Sequence, residues 1–305
     1  MTTASIACIG ECMVEFRQAD GGQFAAGFGG DTLNTAIYLS RLGATVDYIT
    51  ALGDDEWSDA MLEGWRQEGV GVDRVARIPG AMPGLYVIQL DPCGERRFSY
   101  WRDQSAAKRI FETKQAPQLL GSLSEYKWLY LSGISLSLYG EGGCQKLLDG
   151  LCRARRSGAR IAFDTNYRPR GWPERDKAIG AFTAMLDLAD LIFASMEDLE
   201  PLFGATSQSR LARLSERAEC VLKNDDLSVT VLSQGKTTIV RGQAAERVVD
   251  TTAAGDSFAA AYLASRVAGA DVVEAARAGH ALARQVVGFH GALIPRTSPL
   301  LGSIA

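Results

Sequence analysis

The sequence predicts an α/β protein: a doubly wound, mainly parallel sheet in an α/β/α layer structure, accompanied by a small separate β-sheet. Three observations predict it. Short apolar runs alternate with helical patterns for most of the 305 residues, as parallel strands covered by helices on both faces require. Glycines close the first two helical patterns, at Gly43 and Gly69, where a left-handed residue ends a helix cheaply. Two further segments alternate polar and apolar residues about central turns, the period of a β-hairpin.

In chain order, residues 6–9 form a buried first strand, followed by a polar, Gly-rich excursion. A helix is expected over about 32–42, a strand over 46–50 and a helix over 55–68. Further strands fall at 129–131, 161–164, 191–194 and 221–223, separated by helices at 142–156, 175–188, 197–203 and 209–218. The two hairpins lie at 13–28, around Gly21-Gly22, and at 85–100, around Asp91-Pro92-Cys93-Gly94. Consecutive hairpins cannot enter a parallel core, so they predict a second sheet serving as a lid or a dimer surface.

Composition narrows the function classes. Hydrophobic residues make up 47% of the chain and charged residues 22%, as in an ordinary globular protein. A net charge of −4 without any basic run offers no footprint for nucleic acid. No segment reaches the ~20 apolar residues of a membrane span, and the N-terminal run lacks a charged region and a long apolar core, which argues against export and for the cytoplasm. The six cysteines form no C-x-x-C pair, and His280 and His290 have no cysteine near them in sequence; buried, reduced thiols are expected rather than zinc or bridges. With two histidines, triad chemistry is a poor fit.

The chemistry concentrates in Val248-Val249-Asp250-Thr251-Thr252-Ala253-Ala254-Gly255-Asp256-Ser257-Phe258. Small residues lead into a helix expected over 257–267, and a helix start presents unpaired N–H groups to an anion. A carboxylate there repels phosphate, so Asp256 suits a base for an attacking hydroxyl better than a phosphate grip. On its residue type alone Asp256 is equally a helix N-cap. No G-x-G-x-x-G follows the first strand, which weakens a nicotinamide-dependent oxidoreductase.

The stretch Asp250-Thr251-x-Ala253-Ala254-Gly255-Asp256 resembles the C-terminal signature of the ribokinase-like (PfkB) carbohydrate kinases. Gly29-Gly30-Asp31-Thr32-Leu33-Asn34, with Ala36, Gly43 and Gly53, resembles their N-terminal one. The resemblance covers essentially the whole chain and implies a single ribokinase-like domain over 1–305, with a lid at about 13–28 and 85–103. Within the family, Gly10-Glu11-Cys12-Met13, Pro83-Gly84-Leu85-Tyr86 and Tyr100-Trp101-Arg102 resemble the subgroup acting on 2-keto-3-deoxygluconate, an acid sugar.

The resemblance implies ATP-dependent phosphorylation of that sugar, with Asp256 as base and Ala253, Ala254 and Gly255 as the anion hole, assisted by Arg168. It implies sugar contacts from Gly30, Asp31, Asn34, Tyr86, Tyr100, Arg102 and Arg168, the arginines meeting the substrate's carboxylate. ATP contacts are implied for Asn166, Lys223, Ser228 and Ala253–Gly255. Magnesium accompanies ATP, and its protein contacts, through water, are implied for Glu197 and Asp198. Two departures stand out: the family's Asn-x-x-Glu element reads Ser195-Met196-Glu197-Asp198, and Asp225 occupies a customary Gly. A homo-oligomer through the lid sheet is expected. A neutral-sugar kinase, for fructose or ribose, and a non-catalytic sugar or nucleotide sensor remain open alternatives.

Overall fold

The computed structural model describes residues 5–19, 22–90 and 96–296. Strand β1 (Ser5–Ile9) runs through Gly10, Glu11 and Cys12 into the first hairpin, β2 (Met13–Gln18) and β3 (Phe24–Gly29). Helix α1 (Asp31–Arg41), β4 (Thr45–Ile49), β5 (Ala51–Leu52), α2 (Glu56–Gln67) and β6 (Ala76–Arg77) precede the second hairpin, β7 (Gly84–Leu90) and β8 (Arg96–Trp101). Gly21 and the turn Asp91-Pro92-Cys93-Gly94 lie outside the described residues.

The chain then alternates: α3 (Ala116–Ser122), β9 (Trp128–Ser132), α4 (Gly133–Leu138), α5 (Gly140–Arg156), β10 (Arg160–Asp164) and α6 (Arg175–Leu188). It continues with β11 (Leu191–Ser195), α7 (Met196–Phe203), α8 (Ser207–Leu214), β12 (Glu219–Lys223), β13 (Ser228–Ser233), β14 (Lys236–Arg241), α9 (Ala254–Val267) and α10 (Val272–Val286).

Eight strands form the main sheet in the order β14-β13-β12-β11-β10-β9-β1-β4. From β12 to β4 every pairing is parallel, and β13 and β14 extend the sheet antiparallel. Period-two alternation divides these strands between two apolar layers. Leu129, Leu131, Ile161, Phe163, Ile192 and Ala194 face one layer. Trp128, Tyr130, Ala162, Leu191 and Phe193 face the other, with α1, α9 and α10. Each fully buried large apolar side chain adds about 1.5–3 kcal/mol, so both layers are needed.

The two hairpins unite in a second sheet, β3-β2-β7-β8. Met13 stands opposite both Gly29 and Gly84, which joins the hairpins through the parallel β2–β7 pairing.

Several elements differ from the sequence expectation, among them β5, β6, α3 and α4, which were not expected. Helix α9 begins at Ala254, three residues earlier than expected. The antiparallel β13–β14 hairpin was not foreseen; it turns at Gln234 and Gly235, both at positive φ, without the usual Asn-Gly signal. Helix α10 was also missed, although its capping box, Asp271 with Glu274, is legible as a sequence pattern.

Candidate active site

A cavity of about 430 Å³ opens where the carboxyl ends of β10, β11 and β12 meet α1, α9 and the second sheet. Parallel sheets place ligands at this end. Another cavity, about 380 Å³, opens at the amino ends of the strands. Its Arg266 is already paired with Glu219, and Arg217 donates to the carbonyls of Leu186 and Ala189.

The first turn of α9 is built for an anion. Its N-cap, Ala253, has φ +61° and supplies no side-chain oxygen to the amides above it. A left-handed alanine costs roughly 1–2 kcal/mol, and this chain carries that cost at the mouth of the cavity. Asp250 accepts from Thr252 N at 2.8 Å and from Gly291 N at 2.8 Å, clamping the turn to the 288–294 segment. That segment is tied to α1: Tyr38 Oη donates to the Ala292 carbonyl at 2.7 Å, and Arg41 Nη1 to that of Ile294 at 2.7 Å. The Ala254 amide is engaged with the Thr251 carbonyl at 3.2 Å, so it is less available to a ligand than its expected role requires.

Asp256 is not the helix cap. It sits in the first turn of α9, as its third residue, half-buried, and its Oδ2 accepts from Asn34 Nδ2 at 2.8 Å across 222 residues of sequence. Burial, then the Asp31 carboxylate, pushes its pKa up to about 8, against the Asn34 hydrogen bond. Asn34, expected to meet sugar hydroxyls, is 5% exposed and spends an amide hydrogen on the Asp256 carboxylate. Asp31 accepts from Asn166 Nδ2 at 2.9 Å, and Asn166 is held at φ +25°. Gly30 is the N-cap of α1 in extended conformation. A Cβ there would lie 2.2 Å from the Glu11 carbonyl oxygen.

The remaining expected residues divide. Tyr86 and Tyr100 line the cavity with Phe98, their rings 5.9–6.5 Å apart, and Tyr86 Oη donates to Glu15. Arg168 lines it too, 60% exposed, with Nη1 3.4 Å from Asp198 Oδ1. Lys223 Nζ lies 3.2 Å from both oxygens of Asp164. Arg102 does not line the cavity: its Nη2 donates to buried Glu11, whose Oε1 has no hydrogen-bond partner within 3.5 Å among the described residues. Ser228 is also outside, 4% exposed, its hydroxyl bonded to Asp226 at 2.5 Å. Sequence reading missed Phe98, Ile134, Asp164 and Ala292 as lining residues.

For a divalent cation the two acidic candidates differ. Asp198 is 7% exposed and already accepts from Thr165 Oγ1 at 2.8 Å and Tyr167 N at 3.0 Å, while Glu197 is exposed on the cavity wall. Among the described residues no group of three or more His, Cys, Asp or Glu side chains could hold a metal.

A carboxylate inside a pocket, beside an open helix start, suits an enzyme that transfers an anionic group to a hydroxyl. The chain belongs to the pfkB family of carbohydrate kinases, whose sequence profile matches residues 3–298. It is 40% identical to the 2-dehydro-3-deoxygluconokinase of Dickeya dadantii over 305 residues, covering 97% of this chain and 98% of that one. Identity to the Escherichia coli K12 enzyme of the same name is 39%, over 95% and 97%. A fructokinase of Xylella fastidiosa with bound ATP superposes with a TM-score of 0.82 at 25% identity, over 94% and 93% of the two chains. The 2-dehydro-3-deoxygluconokinase of Thermotoga maritima shares the fold, with TM-score 0.82 at 23% identity over 95% and 96%. Among the described residues no helix is long and apolar enough to cross a membrane.

Proposed function

We propose that this protein transfers the γ-phosphoryl of ATP to the terminal hydroxyl of 2-keto-3-deoxygluconate, giving 2-keto-3-deoxy-6-phosphogluconate. The observation that carries the reading is Asp256, a poised base held by Asn34 beside an open helix start, in a chain near 40% identical to two enzymes of that name. Asn34 occupies Oδ2, leaving Oδ1 to receive the hydroxyl proton as the oxygen attacks phosphorus. The new O–P bond forms as the bond to ADP breaks, and amides of Ala253, Gly255 and Asp256 meet the charge. Magnesium, when bound with ATP, neutralises phosphate charge, with Glu197 the residue placed to reach it through water. Asp31 and Gly30 meet sugar hydroxyls, and Tyr86 and Tyr100 cover the ring.

The chain functions as one catalytic unit with β3-β2-β7-β8 as its lid. Its edge strands and the exposed Phe24 and Trp101 favour a homo-oligomer through that sheet, and its substrates place it in the cytoplasm. A panel of acid and neutral sugars with ATP, scored by kcat/KM, tests the assignment. No phosphorylation of any panel sugar, despite a folded protein, would sink it.

One observation favours a neutral acceptor such as fructose: Arg102 is already paired with Glu11. In the acid-sugar reading, Nη2 stays on Glu11 and the other guanidinium nitrogens take the carboxylate. Arg102→Ala should then raise KM for the acid sugar about 10- to 100-fold, with kcat and KM for ATP nearly unchanged. An unchanged KM removes Arg102 from substrate binding.

The pH profile is a second test. Because the pKa of Asp256 is raised, the free protein holds a proton there below about pH 8. kcat/KM should therefore climb about tenfold per unit toward pH 8 and level off above it. A profile already flat at pH 6 contradicts a base in this environment.

A further inference from the structure

One part-buried ion pair in the cavity takes no part in the steps above, although the resemblance implies that its lysine, Lys223, contacts ATP. Asp164 ends β10 and Lys223 ends β12, with β11 between them, so the pair reaches across a strand at the ligand end of the sheet. Lys223 Nζ lies 3.2 Å from both carboxylate oxygens; the Asp164 side chain is 4% exposed and that of Lys223 26%. A pair made only to brace the sheet could be packed away from the cavity, yet both members line it. A Cβ placed on Gly255 would have Nζ as its one neighbour, at 3.6 Å. The ammonium thus stands beside the open first turn of α9, where the transferring group must pass.

Its electrostatic setting favours retention of the proton. Burial works against the charge, but carboxylates from three elements outweigh it: Asp164 on β10, Asp198 on α7 and Asp256 on α9. Asp31 on α1 and the guanidinium of Arg168 share the cavity. A lysine on a four-carbon stem can swing between anions without losing its proton, which a planar, fixed guanidinium does less readily. Phosphoryl transfer spreads charge over equatorial oxygens that donors must meet at the moment of reaction.

We propose that Lys223 is a catalytic residue whose ammonium passes from Asp164 to the phosphoryl group in flight, and that Asp164 is the positioning residue that keeps it beside Gly255. The inference rests on the kinase reading above and deepens it. No bond forms to Lys223: it hydrogen-bonds the equatorial oxygens while the acceptor oxygen replaces ADP on phosphorus, and it returns to Asp164 as product leaves. It therefore serves the transferring group rather than the nucleotide as a whole.

The test combines Lys223→Met, Lys223→Arg, Asp164→Asn and the double variant Asp164→Asn/Lys223→Met, each assayed for kcat, ADP affinity by calorimetry and Tm. Lys223→Met should lower kcat about 10²- to 10³-fold with ADP affinity nearly intact, and Lys223→Arg should recover part of the loss. Asp164→Asn should move the alkaline limb of kcat to lower pH, since it removes the nearest counter-charge to the ammonium. The double variant, which leaves no buried charge uncompensated, should regain Tm but not kcat; it carries the measurement if the single variant does not fold. A double variant with wild-type kcat makes the pair a brace and overturns the proposal. So does a Lys223→Met protein with wild-type kcat, or one whose ADP affinity falls in step with kcat. A wild-type protein inactive on every sugar overturns the underlying kinase reading instead.

Discussion

Asp256→Asn is expected to lower kcat by about 10²- to 10⁴-fold while ATP affinity stays near that of the wild type. The substitution keeps the volume and can still accept the Asn34 hydrogen bond, so the 2.8 Å contact and the first turn of α9 should persist. What is lost is the capacity to take a proton. The same change removes a buried charge that the fold tolerates only by raising its pKa toward 8. Relative to an unfolded carboxyl, that shift means stability declines as pH rises between the unfolded value and the folded one. The variant should therefore melt no lower than the wild type above pH 8, and its activity should lose the acidic limb. Single-turnover kinetics with a melting curve would check both. Near-normal turnover would leave Asp256 without a chemical role.

Gly30→Ala should be strongly damaging to activity although it touches no reacting group. The added Cβ would lie 2.2 Å from the Glu11 carbonyl oxygen and 3.1 Å from Cys12 Cα, and both are backbone atoms. Relief requires moving the N-terminus of α1 off the β1–β2 connection, and that helix carries Asp31 and Asn34. A displacement near 1 Å at reacting groups costs about 10²-fold in rate, and a loss of that size in kcat/KM is expected. Gly64→Ala is the control: it lies inside α2 with nothing within 4 Å of the new Cβ. It should leave activity unchanged and stabilise the helix by up to about 1 kcal/mol. Equal losses in both variants would separate the effect from the site.

The parts of the site legible in the sequence are those in which one short segment does two jobs. Gly29–Asn34 and Asp250–Asp256 each combine backbone permissiveness with a polar side chain, so residue types alone betray them. Sequence left Asp256 between cap and base, and the structure removes the cap reading by starting α9 at Ala254. Asp164 and Ala292 were illegible because nothing local distinguishes a strand-end carboxylate or a loop alanine; only the sheet order and the Tyr38 contact bring them to the cavity. Arg102 was legible as a cation, but not its engagement with Glu11, 91 residues away. The parallel core was readable from its alternation of elements. The β13–β14 hairpin was missed for want of a customary turn pair.

The ties between α1 and the 288–294 segment govern when the chain can first act. Asp250 clamps the turn before α9 through Gly291, and Tyr38 and Arg41 hold Ala292 and Ile294. Chains emerge from the ribosome at about 5–20 residues per second, and residues near position 294 follow every strand and helix named above. Until they dock, α1 lacks its closing contacts and the helix start beside Asp256 lacks its anchor. A nascent chain can thus carry a nearly complete sheet and yet be catalytically silent. Phosphoryl transfer would then begin only once residue 294 has emerged and docked, which shields ATP from idle turnover by copies still missing that segment.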